Sequence, residues 1–336
     1  MKEKTLLREF AQYVALNICG MIGLSCYILA DTFFVSRGLR ANGLTALNLA
    51  IPIYSFVHGS GLMLGIGGAT KYSIYMGQGK TKSASRIYSN TIYAMAVFSV
   101  IFVVLGIFFS DKLALMLGAD HEIFGMTKTY LQVILLFAPA FIVNDGLICF
   151  VRNDGNPKLS MAAMLSGSLS NIVLDYVFIF PLCMGIFGAV LATGLAPVIS
   201  LVVLSGHLIT KKNQFHFEKI KPSLKAAGTI ISLGVPALIT EVASGIVMIV
   251  FNAVILKLQG NIGVAAYRIC NYHSDGIFDV FFIQNNRSVA VISAYRRRGG
   301  PDRNYIIQKR ILKRKSRGCR GIRFCFWHPI RTFRPE

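Results

Sequence analysis

The chain has 336 residues, of which 54% are hydrophobic and only 15% charged, with a mean hydropathy of +0.57. A soluble domain carries roughly 25% charge, so this composition excludes a soluble globule, a fibre and a disordered chain, and it predicts an all-α integral membrane protein. The net charge of +20 is uneven: residues 1–267 hold 19 Lys+Arg and 11 Asp+Glu (+8), whereas residues 268–336 hold 16 and 4 (+12).

Apolar runs of about 20 residues span a bilayer, and in chain order they lie at 11–36, 44–70, 88–109, 130–151, 159–180, 185–210 and 229–256. The first run reads as a span: it is too long for a cleavable leader and runs into Asp31 without a small-residue cleavage site. The N-terminus and the second, fourth and sixth loops carry 14 Lys+Arg, and the opposite set carries 5 (Arg37, Arg40, Lys112, Lys128, Lys257). Positive charge gathers on the cytoplasmic side, so the count predicts seven spans with the N-terminus in the cytoplasm. Residues 270–294 would make a poor eighth span, because Asp275, Asp279 and Arg287 interrupt them and each mid-membrane charge costs about 2.5–3.5 kcal/mol on insertion scales.

A weak internal repeat aligns Gly43 with Gly263 and Ala46 with Ala266 at an offset of 220. On that reading a second half opens near residue 229 and stays unfinished.

The seven cysteines show no paired spacing, so neither a disulfide framework nor a zinc site is expected, and the loose C-x5-C-x2-H of Cys319, Cys325 and His328 is dismissed. Gly79-Lys80-Thr81 is not a phosphate loop, because Ile74 stands where that loop needs glycine and an apolar helix precedes it. The basic run 309–323 suits anionic lipid or a change of reading frame, and no nucleic-acid partner is expected. No catalytic cluster is visible, so the chain is not read as an enzyme.

Ionisable residues inside spans are few, and each marks a candidate site. Tyr27 and Asp31 share one helix face at i,i+4, and Asn171 and Asp175 share another. Two such faces meeting in a bundle would load and release a proton or hold Na+ through oxygen ligands. The competing reading leaves both Asp solvated near span ends. Glu241 is either a second ion or substrate contact or an inter-helix hydrogen bond. His58 reads as a packed or hydrogen-bonded core histidine, and Asp145 as a substrate-lining group or a helix–helix contact. Pro52, Pro197 and Pro236 lie within spans, where kinks are expected.

Four stretches carry a family resemblance: A-D-T-F-F-V-S-R-G-L-R-A-N-G-L-T-A-L-N-L-A-I-P (30–52), F-V-R-N-D-G-N-P-K-L-S-M (150–161), S-N-I-V-L-D-Y-V-F-I-F (170–180) with G-I-F-G-A-V-L-A-T (185–193), and S-L-G-V-P-A-L-I-T-E (232–241). In order and spacing across 1–267 they resemble the multidrug and toxin extrusion (MATE) family, in its MepA-like bacterial branch. The resemblance implies a six-helix N-lobe over 1–228 and the start of a C-lobe over 229–267, with helix 7 and a stub of helix 8. It also implies antiport of organic, often cationic, compounds against H+ or Na+ by alternating access, in the bacterial plasma membrane. The implied partners are small xenobiotics and lipid, and no cofactor is needed beyond the coupling ion. By the same resemblance Asp31, Asn171, Asp175, Tyr27 and Thr193 form the N-lobe cation site, and Glu241 matches an acidic C-lobe position. The family text stops after Tyr267, so 268–336 is expected to be a frameshifted or truncated tail, and the chain as written is expected to transport poorly. The alternatives are a lipid-linked oligosaccharide flippase of similar fold and a non-transporting, degenerate membrane protein.

Overall fold

The computed structural model describes residues 2–209 and 214–247, together with 249, 250 and 254. The eighth-span question, the Gly263 half of the repeat, the helix-8 stub and the 268–336 tail all lie outside the described residues. Among the described residues eight helices follow in order: α1 (Lys2–Gly77), α2 (Thr81–Phe108), α3 (Ser110–Met116), α4 (Phe124–Leu136), α5 (Ala138–Asn153), α6 (Pro157–Ile179), α7 (Gly185–Ile209) and α8 (Leu224–Val247). Five are long and apolar enough to cross a membrane, and the bent pair α4–α5 supplies a sixth crossing.

The 76 residues of α1 would extend about 114 Å at 1.5 Å per residue, several times the bilayer core. The helix is in fact two arms. Arg40 interrupts it with φ 58° and ψ −157°, a region costing a non-glycine residue about 1–3 kcal/mol. The two apolar runs 11–36 and 44–70 occupy the arms before and after this break. Pro52 lies inside the second arm without breaking it. The run 130–151 behaves differently, since α4 and α5 meet at 49°. Pro139, at the start of α5, lacks the N–H that would continue the ladder, and the Phe137 ring sits against Gly194 of α7.

The sequence of α2 explains its place at the bundle edge. Ala84, Tyr88, Thr91, Met95, Ser99, Phe102 and Gly106 are buried, at spacings of three and four that fall on one face. Val97, Val100, Ile101, Val104 and Phe108 are exposed on the other. Every small or polar residue among these faces the bundle, beside Tyr88, Met95 and Phe102, and those facing outward are all apolar, the polarity expected where the solvent is lipid. Thr91 donates to the Ile87 carbonyl at 2.8 Å, so its hydroxyl is satisfied within the helix.

Close approaches fix the packing. The second arm of α1 meets α5 where Gly65 lies against Gly146 and Cys149, and it meets α8 where Gly67 lies against the Ile230 backbone and Gly234 against Met63. Side chains on these glycines would collide with backbone.

The helix ends join in two sets that do not mix. In one set Asn42 donates to Glu122 at 2.8 Å, Gly38 abuts Ile179 and Gly185 abuts Leu39. In the other, Asp154 accepts from the Tyr72 hydroxyl at 3.1 Å and from the Gln214 backbone N–H at 2.9 Å, and it lies 3.1 Å from His207 Nε2. The segment 214–223 is stitched down at this second set. Glu218 N–H donates to Ser89 Oγ and Ser223 N–H donates to Asn90 Oδ1, both at 2.8 Å. Phe215 is buried among Tyr72, Tyr88 and Phe150. Consecutive chain segments alternate between the two sets, as a bundle of consecutive crossings requires.

Candidate functional site

Helix α6 starts at a defined point, which sets the register of its polar face. Asn156 caps it, its Oδ1 accepting from the Leu159 N–H at 3.2 Å, and Pro157 occupies the first turn, where its missing N–H costs nothing. Asn171 and Asp175 then fall one turn apart on the face turned toward α7 and α1, and both are fully buried. Gly167 lies against the Ala196 carbonyl and lets α6 and α7 approach closely.

With its amide oriented to satisfy both neighbours, Asn171 donates from Nδ2 to Asp175 Oδ2 at 3.0 Å and accepts at Oδ1 from the Thr193 backbone N–H at 3.2 Å. The Thr193 hydroxyl donates to the Ala189 carbonyl at 3.1 Å. Asp175 Oδ1 is buried with no hydrogen-bond partner among the described residues. Asp31, in the first arm of α1, is also buried and lies close enough to act electrostatically on Asp175. Two carboxyl groups, an amide and a threonine thus meet from three helices. Oxygen-rich and acidic, the group suits a proton or a small hard cation.

The structure brings some of these residues together and leaves others apart. Asp31, Asn171, Asp175 and Thr193 converge. Tyr27 hydrogen-bonds with Tyr54 of the second arm, a partner the reading did not include. Glu241 stands outside this hydrogen-bonded group: it is half-buried on α8, with its Cβ against Gly59. The reading that left the two Asp solvated near span ends does not fit, since Asp31 is 5% exposed and Asp175 0%.

A second ionisable pair was missed. His58 Nδ1 lies 2.8 Å from Asp145 Oδ2, and Tyr54 stacks flat on His58 with ring centroids 5.9 Å apart. His58 packs as expected, but against a carboxylate. The available signal was two ionisable groups in separate apolar runs, and spacing alone could not pair residues 87 positions apart.

Comparisons with known proteins agree with this architecture. The sequence model of the MatE family matches residues 18–177. The multidrug export protein MepA of Staphylococcus saprophyticus is 29% identical over 245 residues, covering 72% of this chain and 54% of that protein. MepA of Staphylococcus haemolyticus is 27% identical over 271 residues, covering 80% and 60%. The chain therefore spans little more than half the length of the curated relatives it matches. Among solved structures, an inward-facing MATE multidrug transporter of the MOP superfamily aligns with TM-score 0.70 at 26% identity, covering 76% of this chain and 59% of that one. The MATE multidrug transporter DinF-BH, solved in complex with a dye, aligns with TM-score 0.73 at 25% identity, covering 79% and 61%. In its sequence over 18–177 and in its helical fold, this multi-pass membrane chain is similar to the MatE family.

Proposed function

We propose that these helices form the N-lobe and the first C-lobe helix of a cation-coupled exporter of organic compounds. The lobe boundary falls near 228, and 229–267 begins the second lobe. The observation that supports this reading best is Asp175: a carboxyl group buried inside a lipid-facing bundle, held by Asn171, with a second carboxyl, Asp31, beside it. Such a group is costly to keep in a membrane and is ordinarily retained for ion or proton traffic. Asp31, Asp175, Asn171, Thr193 and Tyr27 are the coupling residues on this reading. Na+ would bind as transported cargo to the oxygens of Asp31, Asn171 and Asp175, whereas H+ would bind the carboxyl pair. Glu241 contributes a separate ion or substrate contact.

The relatives named for multidrug export, and the neighbour solved with a bound dye, support small organic molecules as substrates. The charge count supports a cytoplasmic N-terminus, which puts Asp154, His207 and the 214–223 segment inside and Arg40, Asn42 and Glu122 outside. Alternating access rocks one bundle against another around a site between them.

Ethidium efflux from transporter-deficient cells tests the reading, with wild type set against Asp31→Asn and Asp175→Asn and with membrane insertion checked by immunoblot. Efflux that collapses in both variants is the expected result. Equal efflux in all three overturns the coupling role. No efflux from an inserted wild-type chain means that these helices do not suffice for transport.

A further inference from the structure

The two arms of α1 form a hairpin about Arg40, and this sets which residues lie at equal depth. Tyr27 is 13 residues before the break and Tyr54 is 14 after it, and the two side chains share a hydrogen bond. Asp31 lies one turn from Tyr27 toward the break, and His58 lies one turn from Tyr54 away from it. At 1.5 Å per residue these steps are about 6 Å each, so Asp31 and His58 differ in depth by about 12 Å. His58 falls midway along the second arm, 18 residues from Arg40 and 19 from Gly77.

The pair is enclosed by design of the sequence. Gly61 has no side chain, and a Cβ there would sit 2.8 Å from Asp145 Oδ2, so the glycine makes the room the carboxylate fills. Asp145 is 7% exposed and His58 24%. Tyr54 stacks on the imidazole and packs edge-on to Phe141 at 5.4 Å. The ionisable groups brought to this region by the neighbouring elements are Tyr27 from the first arm, Tyr130 from α4, Asp145 from α5 and Glu241 from α8 beside Gly59. One proton added to neutral imidazole beside carboxylate takes the pair from net charge −1 to 0.

We propose that His58 and Asp145 form a second proton-binding site within the membrane, joined to the Asp31–Asp175 carboxyl pair through the hydroxyls of Tyr54 and Tyr27. The site takes a proton rather than a metal ion, because among the described residues no group of three or more His, Cys, Asp or Glu stands close enough together to hold a metal. The link to coupling rests on the function proposed above; the protonation itself does not. A proton bound at the pair changes the charge one helical turn below the tyrosine pair, and the carboxyls one turn above respond.

The test uses the full chain in lipid nanodiscs with isotope-labelled histidine, followed by nuclear magnetic resonance against pH. His58 is identified among the six histidines as the signal lost in His58→Gln. The expected result is a His58 signal that titrates across the pH range in which the protein stays folded, with a midpoint that moves by one unit or more in Asp145→Asn, the size of effect an adjacent charge produces. A His58 signal that does not titrate there, or a midpoint unmoved in Asp145→Asn, overturns the proposal. In wild type, infrared difference spectra across the same step read the carboxylate directly, and a step with no carboxylate band overturns the pairing even where Asp145→Asn does not fold. Asp31→Asn is expected to shift the His58 midpoint, and less so in a Tyr54→Phe background, which keeps the stack and removes the hydroxyl; an equal shift in both backgrounds overturns the link. These readouts need no transport, so failure of the coupling site shows in the efflux comparison and failure of this proposal shows in the spectra.

Discussion

Asp154→Ala is expected to loosen the end of the bundle where the 214–223 segment is docked. The Asp154 side chain is 1% exposed and that of His207 3%. Its two oxygens serve Tyr72, His207 and the Gln214 N–H at 3.1, 3.1 and 2.9 Å. Deleting the carboxylate strands two buried groups, the Tyr72 hydroxyl and the His207 ring, each costing about 1–3 kcal/mol when unpaired, and frees the exposed Gln214 N–H. Water reaching the end of the bundle recovers part of that cost, so the expected loss is about 3–5 kcal/mol, as for a broken buried pair. At 2–4 °C per kcal/mol this lowers the apparent melting temperature by roughly 6–20 °C. The assay is thermal unfolding of detergent-solubilised protein at a fixed heating rate, followed by circular dichroism. Asp111→Asn is the control: its partner Lys128 is 2.7 Å away, but the two side chains are 55% and 39% exposed, and exposed pairs contribute below about 1 kcal/mol. An Asp154→Ala variant melting within about 2 °C of wild type would refute the claim that this carboxylate anchors the helix ends.

Three further outcomes follow from the packing and the charge pattern. Gly61→Ala is expected to destabilise by about 1–3 kcal/mol through overpacking, because its Cβ would press on the Asp145 carboxylate and on the Ile142 backbone; the same melting assay checks it. Gly67→Leu is expected to displace α8, since the Ile230 backbone occupies that space. A cysteine placed at Ile230, which is 0% exposed, should then react rapidly with a thiol reagent in a background free of native cysteines, and unchanged protection would count against the contact. In intact cells a membrane-impermeant thiol reagent should label Asp111→Cys at once and Lys221→Cys only after permeabilisation; the reverse order would invert the orientation inferred from the 14-to-5 charge bias.

Crossings were legible because each has a span's worth of apolar residues, and that signal belongs to a single segment. The bend at Phe137 was not. Pro139 sits inside an apolar run just as Pro52 does, yet only Pro139 coincides with a break, and the Phe137 ring against Gly194 of α7 is a contact no local pattern encodes. The same division holds at the candidate site. Asn171 and Asp175 were paired from spacing because one helix carries both. That the Asp31 face meets theirs was one of two alternatives left by spacing, and bringing Thr193 to them took the family resemblance, since it comes from another helix. His58 and Asp145 share no helix and no motif in that resemblance, so nothing local joined them. Segment 214–223 read as an ordinary basic loop, because the groups that hold it, Ser89, Asn90 and Asp154, lie 60 to 133 positions away.

The hairpin at Arg40 ties these levels together. In antiparallel arms, residues equidistant from the turn lie at the same depth, so the break decides which side chain of the second arm faces Tyr27. Tyr54 meets it because 27 and 54 are placed almost evenly about residue 40. The side-chain period then carries the consequence one turn in each direction, to Asp31 on one arm and His58 on the other. A non-glycine residue at φ 58° is costly in isolation, and Asn42 bonded to Glu122, with Gly38 against Ile179, braces that end of the arms. A backbone irregularity some 13 Å from Asp31 along the helix thereby sets the register in which the buried carboxyls, the two tyrosines and the histidine fall into one connected group, and the ties at both ends of the bundle keep that register.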